Sequence, residues 1–382
     1  MEAQDLFEHE WPYLLSFLPH SLDLDDSAFR TGAIRRRREV DSASTLLRLI
    51  FAYSFCGLSL RQTAAWAEAA NVAKLSDVAL LKRFRNAHKW LALILGVKLA
   101  ERASAAEHLP RGYRITLIDA TTISKPGSTG TDWRLHLSYN LDNLAIQALD
   151  LTDSSGGETL RRFSVNLGEI VICDRGYAHR PGLWSVRESH GHFIVRLSWQ
   201  NIPLLTPDGK PFSILSFLRD LDDATPGECL VQTAPDHSRG IPSMRCRLVA
   251  VRKTEAAATN SREKVMRERS KKSRSIDLRT LESAGYVFIL TSDESLSATQ
   301  VLELYRFRWQ IEMAFKRLKS LLALDKLPAK DPDLARTFLY AKLLAALLLD
   351  DFTEQFLAFS PWGFPLAQAS PISVAHTPSP AG

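Results

Sequence analysis

Cysteine is scarce: four residues in 382, at Cys56, Cys173, Cys229 and Cys246, with no paired spacing among them. That argues against a disulfide framework or a cysteine-built zinc site and fits a reducing compartment. A secretory signal is missing too, because the N-terminus carries Glu2, Asp5, Glu8 and Glu10 where such a signal needs basic residues. Long apolar runs are also lacking: the stretches around Trp90 to Val97 and Leu343 to Leu349 are too short to span a bilayer. These absences predict a cytoplasmic protein of bacterial type with no membrane partner.

What remains is ordinary globular material, 45% apolar and 24% charged, in a chain long enough for two or three domains. Lys and Arg outnumber Asp and Glu by 48 to 43, and the sequence pI is near 9.0. The excess is modest but clustered, which favours a nucleic-acid partner. Arg35 to Arg38 form one cluster, and Arg262 to Arg274, with seven basic residues and two Glu, form another.

Residues 1–108 read as all-helical, with no alternating strand pattern. Ser59 is placed to cap a helix over Leu60 to Ala69, and Ser76-Asp77 to cap another over Val78 to Leu91. The second helix carries Lys82, Arg83 and Arg85. Two readings stand: a helix-turn-helix that binds DNA, or an ordinary helix pair with a solvated basic face. From about residue 109 strands take over. Ile115 to Ala120 and Glu169 to Cys173 read as buried strands, Trp133 to Leu137, Ala145 to Leu151 and Phe193 to Leu197 as further strands, and Glu158 to Phe163 as a helix, with a turn at Asp142-Asn143. This order predicts an α/β ribonuclease-H-like core in two parts, 109–200 and 293–358. A basic, β-rich insertion occupies 201–292, and a disordered Pro/Ser-rich tail occupies 359–382.

Asp119 and Asp174 stand at the ends of the two buried strands, where a charge is costly unless solvated, paired or metal-bound. Each alone could be a cap or a loop acid; together they suggest carboxylates converging on a divalent cation. A third acid comes from the helix with Tyr305, Arg308, Glu312 and Lys319, which at roughly 100° per residue share an arc of about 60°. Leu304, Phe307, Ile311, Phe315, Leu318 and Leu322 form the neighbouring stripe that would pack on the sheet. A surface helix laced with ion pairs is the plainer alternative.

Tyr305-x2-Arg308-x3-Glu312-x6-Lys319 resembles the Tyr-Arg-Glu-Lys signature of the fourth insertion-sequence family of DDE transposases. So do Ile118-Asp119-Ala120-Thr121-Thr122, Cys173-Asp174-Arg175-Gly176-Tyr177, Asp132 to His136 and Arg196 to Trp199, over roughly residues 30 to 350. The resemblance implies that Asp119, Asp174 and Glu312 hold two Mg²⁺ or Mn²⁺ ions for cutting transposon ends and joining them to target DNA. It implies that Tyr305, Arg308 and Lys319 grip terminal phosphates, and that an aromatic from the insertion, for which Trp199 is the candidate, holds a flipped base. The implied partners are double-stranded terminal inverted repeats, target DNA and a second copy in a synaptic homodimer. The Pro/Ser-rich end does not resemble the family's C-terminal helices. It leaves as alternatives a truncated, poorly active transposase that inhibits by occupying ends, or another ribonuclease-H-like endonuclease.

Overall fold

The structure, a computed structural model, describes residues 10–106, 114–141, 145–221, 225–271 and 275–358. The turn expected at Asp142-Asn143, the last residues of the second basic cluster, the Pro/Ser-rich tail and the acids Glu2, Asp5 and Glu8 lie outside the described residues. In chain order, four helices come first: α1 (Leu24–Arg30), α2 (Ala43–Phe55), α3 (Leu60–Ala69) and α4 (Asp77–Ala106). Then follow β1 (Ile115–Ile123), β2 (Trp133–Asn140), β3 (Ala145–Asp153), β4 (Ile170–Cys173), α5 (Arg180–Glu188), β5 (His192–Arg196), β6 (Leu204–Leu205), α6 (Ile214–Arg219), β7 (Gly227–Thr233) and β8 (Arg245–Arg252). The remainder is α7 (Glu255–Lys271), α8 (Leu278–Ser283), β9 (Tyr286–Thr291), α9 (Ala298–Arg306), α10 (Trp309–Leu321) and α11 (Pro332–Ala358). None of the helices among the described residues is long and apolar enough to cross a membrane.

The chain divides into two compact units, Met1–Glu101 with Pro328–Gly382, and Arg102–Leu327. In the first, polar caps start the helices: Asp23 accepts from Asp26 N, Ser42 from Thr45 N, and Ser59 and Gln62 form a reciprocal capping box. Leu46, Leu47, Leu49 and Ile50 of α2 are fully buried. Tyr53 packs against Phe84 of α4 and Phe338 of α11, and Thr337 Oγ1 donates to Phe84 O at 2.6 Å. Helix α4 runs well beyond the expected end at Leu91. Gly96, the one breaker in its path, is exposed, and its cost of about 1 kcal/mol is outweighed by the burial of Trp90, Leu91, Ile94 and Leu95 just before it.

The second unit is built on one nine-stranded sheet in the order β3-β2-β1-β4-β5-β9-β8-β7-β6. Strands β1, β4 and β5 are parallel neighbours; β2 and β3 add antiparallel on one side, and β9, β8, β7 and β6 on the other. Residues 201–292 therefore extend the sheet that carries β1 and β4. Ile170, Val171, Ile172 and Cys173 of β4 are all buried, as a strand flanked by parallel partners requires, which is why they read as an unbroken apolar run. The helix expected over Glu158 to Phe163 is only a 3₁₀ turn, Leu160–Arg162, anchored by the fully buried Leu160 and ended by the extended backbone of Phe163. The β1–β4 register sets Ile118 opposite Cys173. It follows that Asp119 and Asp174, each the next residue, lie side by side, but only Asp174 stands at a strand end. Strand β1 runs on to Ile123, paired with β2, so Asp119 lies mid-strand and not at the end where the sequence placed it.

That placement depends on the packing of β4. Ile172→Ala is expected to lower unfolding free energy by about 2–5 kcal/mol in a denaturant titration, from lost burial and the cavity left behind. A loss below about 1 kcal/mol would show that the strand is not held by its side chains.

Candidate active site

Asp119 sits within β1 and accepts a hydrogen bond from Ala120 N at 2.8 Å. Asp174 follows β4 and opens a 3₁₀ turn over Arg175–Tyr177. Tyr305, near the end of α9, donates its hydroxyl to Asp174 Oδ1 at 3.2 Å. Glu312 lies in the first turn of α10, which packs against β1 through its buried Ile311, Phe315 and Leu318.

The helix expected to run unbroken through Tyr305, Arg308 and Glu312 is in fact two helices. Between them Phe307 N bonds to Leu304 O, Arg308 N to Tyr305 O and Gln310 N to Phe307 O, a tightened turn of i→i+3 bonds. Phe307, assigned to the apolar stripe, is exposed as a result. Arg308 occupies the junction. Its guanidinium donates to Glu312 Oε1 at 2.6 Å through Nη2, and its Nη1 lies 3.6 Å from Asp119 Oδ2. One half-buried cation therefore links the acid of β1 to the acid of α10, beside Tyr305, which holds the acid of β4. Lys319, two turns on, reaches back with Nζ 3.4 Å from Thr122 O.

The electrostatics divide the two aspartates. Burial pushes the Asp119 carboxyl up to about 6, against the Ala120 N–H and Arg308, and the charges of Asp174 and Glu158 add to the rise. Burial would raise Asp174 as well. There the Arg175 N–H, the charges of Arg308 and Arg196 and the Tyr305 hydroxyl prevail and hold it below the ordinary carboxylate range. Burial opposes the charge on Arg308, yet Tyr305, Asp174 and Glu312 keep its guanidinium more firmly protonated than usual.

Asp119 and Glu312 line an open cleft of about 600 Å³ together with Lys316, Lys319 and Lys326. Acids and ammonium groups lining one cleft suit a phosphodiester, which needs its charge neutralised while one bond is broken. Among the described residues, no three His, Cys, Asp or Glu side chains are gathered at metal-holding distance. Arg308 stands among the carboxylates. The donor set is nevertheless of the right kind for a hard divalent cation: carboxylate oxygens alone, one of them lifted in pKa by burial and by its acidic neighbours.

Other expected residues lie elsewhere. Trp199 is half-buried, donates from Nε1 to Thr280 Oγ1 at 3.3 Å and carries Arg279 over its ring at 4.4 Å; it does not line the cleft. In the first unit Lys82 is exposed and Arg83 half-buried, while Arg85 pairs with Asp331 at 2.7 Å. Sequence reasoning passed over Lys316 and Lys326, and saw Glu158, Gly176 and Tyr177 only as a helix start and part of a motif. Lys316 was accessible in principle, one turn after Glu312 on the same helix; Lys326 follows the end of that helix at Leu321 and carried no such signal. The other three become visible only when the turn after β4 meets the loop before it.

The family described as Transposase DDE domain matches residues 110–348. The InsL protein of insertion sequence element IS186A from Escherichia coli (strain K12) is 43% identical over 361 residues, covering 93% of this chain and 97% of that protein. The transposase for insertion sequence element IS421 from Escherichia coli is 42% identical over 362 residues, with coverage of 93% and 97%. Among solved structures, the piggyBac transposase in a synaptic complex with hairpin DNA aligns with a TM-score of 0.42 and 9% identity, over 91% of this chain and 74% of that one.

The raised carboxyl of Asp119 has a measurable consequence. Between its unfolded pKa of about 4 and its folded value of about 6, the folded chain holds a proton that the unfolded chain has released, so this residue's contribution to stability falls as pH rises. Above that window the folded state carries the cost of the buried charge. Asp119→Asn is therefore expected to stabilise the protein by about 1–3 kcal/mol at pH 7.5. The gain should fade as pH is lowered toward about 4 in parallel denaturant titrations. An Asn variant that is no more stable at pH 7.5 would contradict the burial cost.

Proposed function

The chain belongs to the insertion-sequence transposases with a DDE domain, and we propose that Asp119, Asp174 and Glu312 are the three acids through which it cuts and joins DNA. It is a DNA-cleaving, strand-transferring enzyme, and a DDE domain implies dependence on divalent metal. Our finer reading assigns it to the insertion-sequence family marked by Tyr305, Arg308, Glu312 and Lys319, with a ribonuclease-H-like core over the β3-β2-β1-β4-β5 part of the sheet. The observation that carries the reading is the adjacency of Asp119 and Asp174 in register, with Glu312 joined to Asp119 through Arg308.

The three carboxylates would hold the cation, two Mg²⁺ or Mn²⁺ ions in our reading, which when bound supplies charge neutralisation at the attacking and leaving oxygens. Arg308 has the planar fork to hold a phosphate by two parallel bonds, and the incoming DNA strand would compete for it with Glu312 and Asp119. Lys319, with Lys316 and Lys326 on the same cleft, would bind neighbouring phosphates as point charges. Tyr305 orients Asp174 by its hydroxyl. The substrates we propose are terminal inverted repeats and target DNA, handled in the cytoplasm by a homodimer that forms on DNA. Lys82, Arg83 and Arg85 are the proposed contacts of a DNA-binding helix pair.

Two outcomes are expected when purified protein is incubated with its flanking terminal repeats and Mn²⁺. Asp119→Ala, Asp174→Ala and Glu312→Ala should each lose strand cutting while keeping end binding; near wild-type cutting by any one removes that residue from the site. Arg308→Lys should stay folded but process ends poorly, because a point charge cannot replace a planar fork. Full processing by Arg308→Lys would leave Arg308 as an ion-pair partner and nothing more. In binding assays, Lys82→Ala with Arg83→Ala should weaken end binding and flatten its salt dependence, through fewer counterions released. An unchanged salt slope would remove that helix from the DNA contact.

A further inference from the structure

Glu158 lies in the loop between β3 and β4, with its carboxylate laid on the turn that follows Asp174. A Cβ on Gly176 would overlap Glu158 Oε2. Gly176 does not adopt a left-handed backbone, so glycine is not required there for its conformation. The space a Cβ would take is filled by the Glu158 carboxylate, the far end of a flexible side chain, which any larger residue would displace. The loop is pinned to put it there. His179 caps α5 by accepting from Gly182 N at Nδ1, which leaves Nε2 to donate, and Nε2 lies 2.8 Å from Glu158 O.

Despite this placement the Glu158 carboxylate has no hydrogen-bond or ion-pair partner among the described residues. Nearby, Tyr177 is fully buried, and its hydroxyl has no partner among the described residues. Both groups feel the same surroundings, since the charges of Glu158 and Asp119 act on Tyr177 and that of Glu158 acts on Asp119. A half-buried carboxylate and an unpartnered buried hydroxyl, beside the Asp119 already proposed to hold a cation, suit a positively charged ligand.

We propose that Glu158 is a fourth carboxylate of the divalent-cation site, held on the turn after Asp174 by the space at Gly176 and served by the Tyr177 hydroxyl. The inference rests on the reading of Asp119, Asp174 and Glu312 as cation-binding acids. Glu158 would touch the cation itself, so its effect is on metal affinity before any DNA is present.

The test is Mn²⁺ binding to the full-length protein without DNA, followed by electron paramagnetic resonance of the free ion. Glu158→Gln should weaken binding about tenfold or more, in the range seen when groups supporting a metal site are removed. Gly176→Ala, which leaves the carboxylate chemistry intact but takes its space, should weaken it as well. Circular dichroism and a denaturant midpoint on both variants separate lost binding from lost folding. Asp119→Ala is the reference. If Asp119→Ala loses Mn²⁺ while folded Glu158→Gln binds it like wild type, Glu158 is not part of the site and the proposal fails alone. If Asp119→Ala also binds like wild type, the reading of the three acids fails, and this inference with it.

Discussion

Carboxylates crowded at one end of a sheet repel one another, and burial makes each harder to ionise. The arrangement of the second unit follows from how that repulsion is contained. The parallel register of β1 and β4 forces Asp119 and Asp174 to be neighbours. Arg308 then lies within reach of Asp119, bonds to Glu312, and lends its charge to Asp174. Its position depends on the tight turn between α9 and α10, and the turn depends on α10 lying against β1 through Ile311, Phe315 and Leu318. Sheet register, helix break and charge cluster are therefore one connected feature.

The same cluster explains why its acids suit a cation as partner. In the free chain Arg308 neutralises part of their charge, and Asp119 remains reluctant to ionise. A divalent cation with a DNA phosphate offers a better exchange: the carboxylates gain a stronger counter-charge and the guanidinium gains a phosphate. Lys316, Lys319 and Lys326 on the cleft extend that preference for an anionic chain.

Much of this was legible in the residues because the relevant physics is local. Glu169 to Cys173 read as a buried strand from its apolar run, and Ile170–Cys173 is one; Ser59 read as a helix start from capping chemistry, and it caps Leu60–Ala69. The spacing from Tyr305 to Lys319 pointed to one shared face, and Arg308 and Glu312 do meet. What escaped depends on tertiary contacts. The end of α4 could not be placed because the exposed Gly96 does not stop a helix packed on its other side. The break at Phe307 uses backbone bonds alone, with no proline or glycine to announce it. Strands β6 to β9 joined the main sheet through pairings of residues far apart in sequence, such as Arg196 with Ile289. Gly176 marks a close approach whose other side, Glu158, lies 18 residues earlier (176 less 158).

The central claim is that one cation site is formed by acids from β1, the end of β4 and α10. Iron(II) can stand in for Mg²⁺ at such a site, and with peroxide and ascorbate it generates radicals that cut the polypeptide beside its ligands. Mapping those cuts in the full-length protein tests the claim without relying on catalysis. The account predicts breaks clustered near Asp119, Asp174 and Glu312, suppressed by excess Mg²⁺ and lost in Asp119→Ala. Cuts scattered along the chain, or a cluster elsewhere that Mg²⁺ does not suppress, would contradict it.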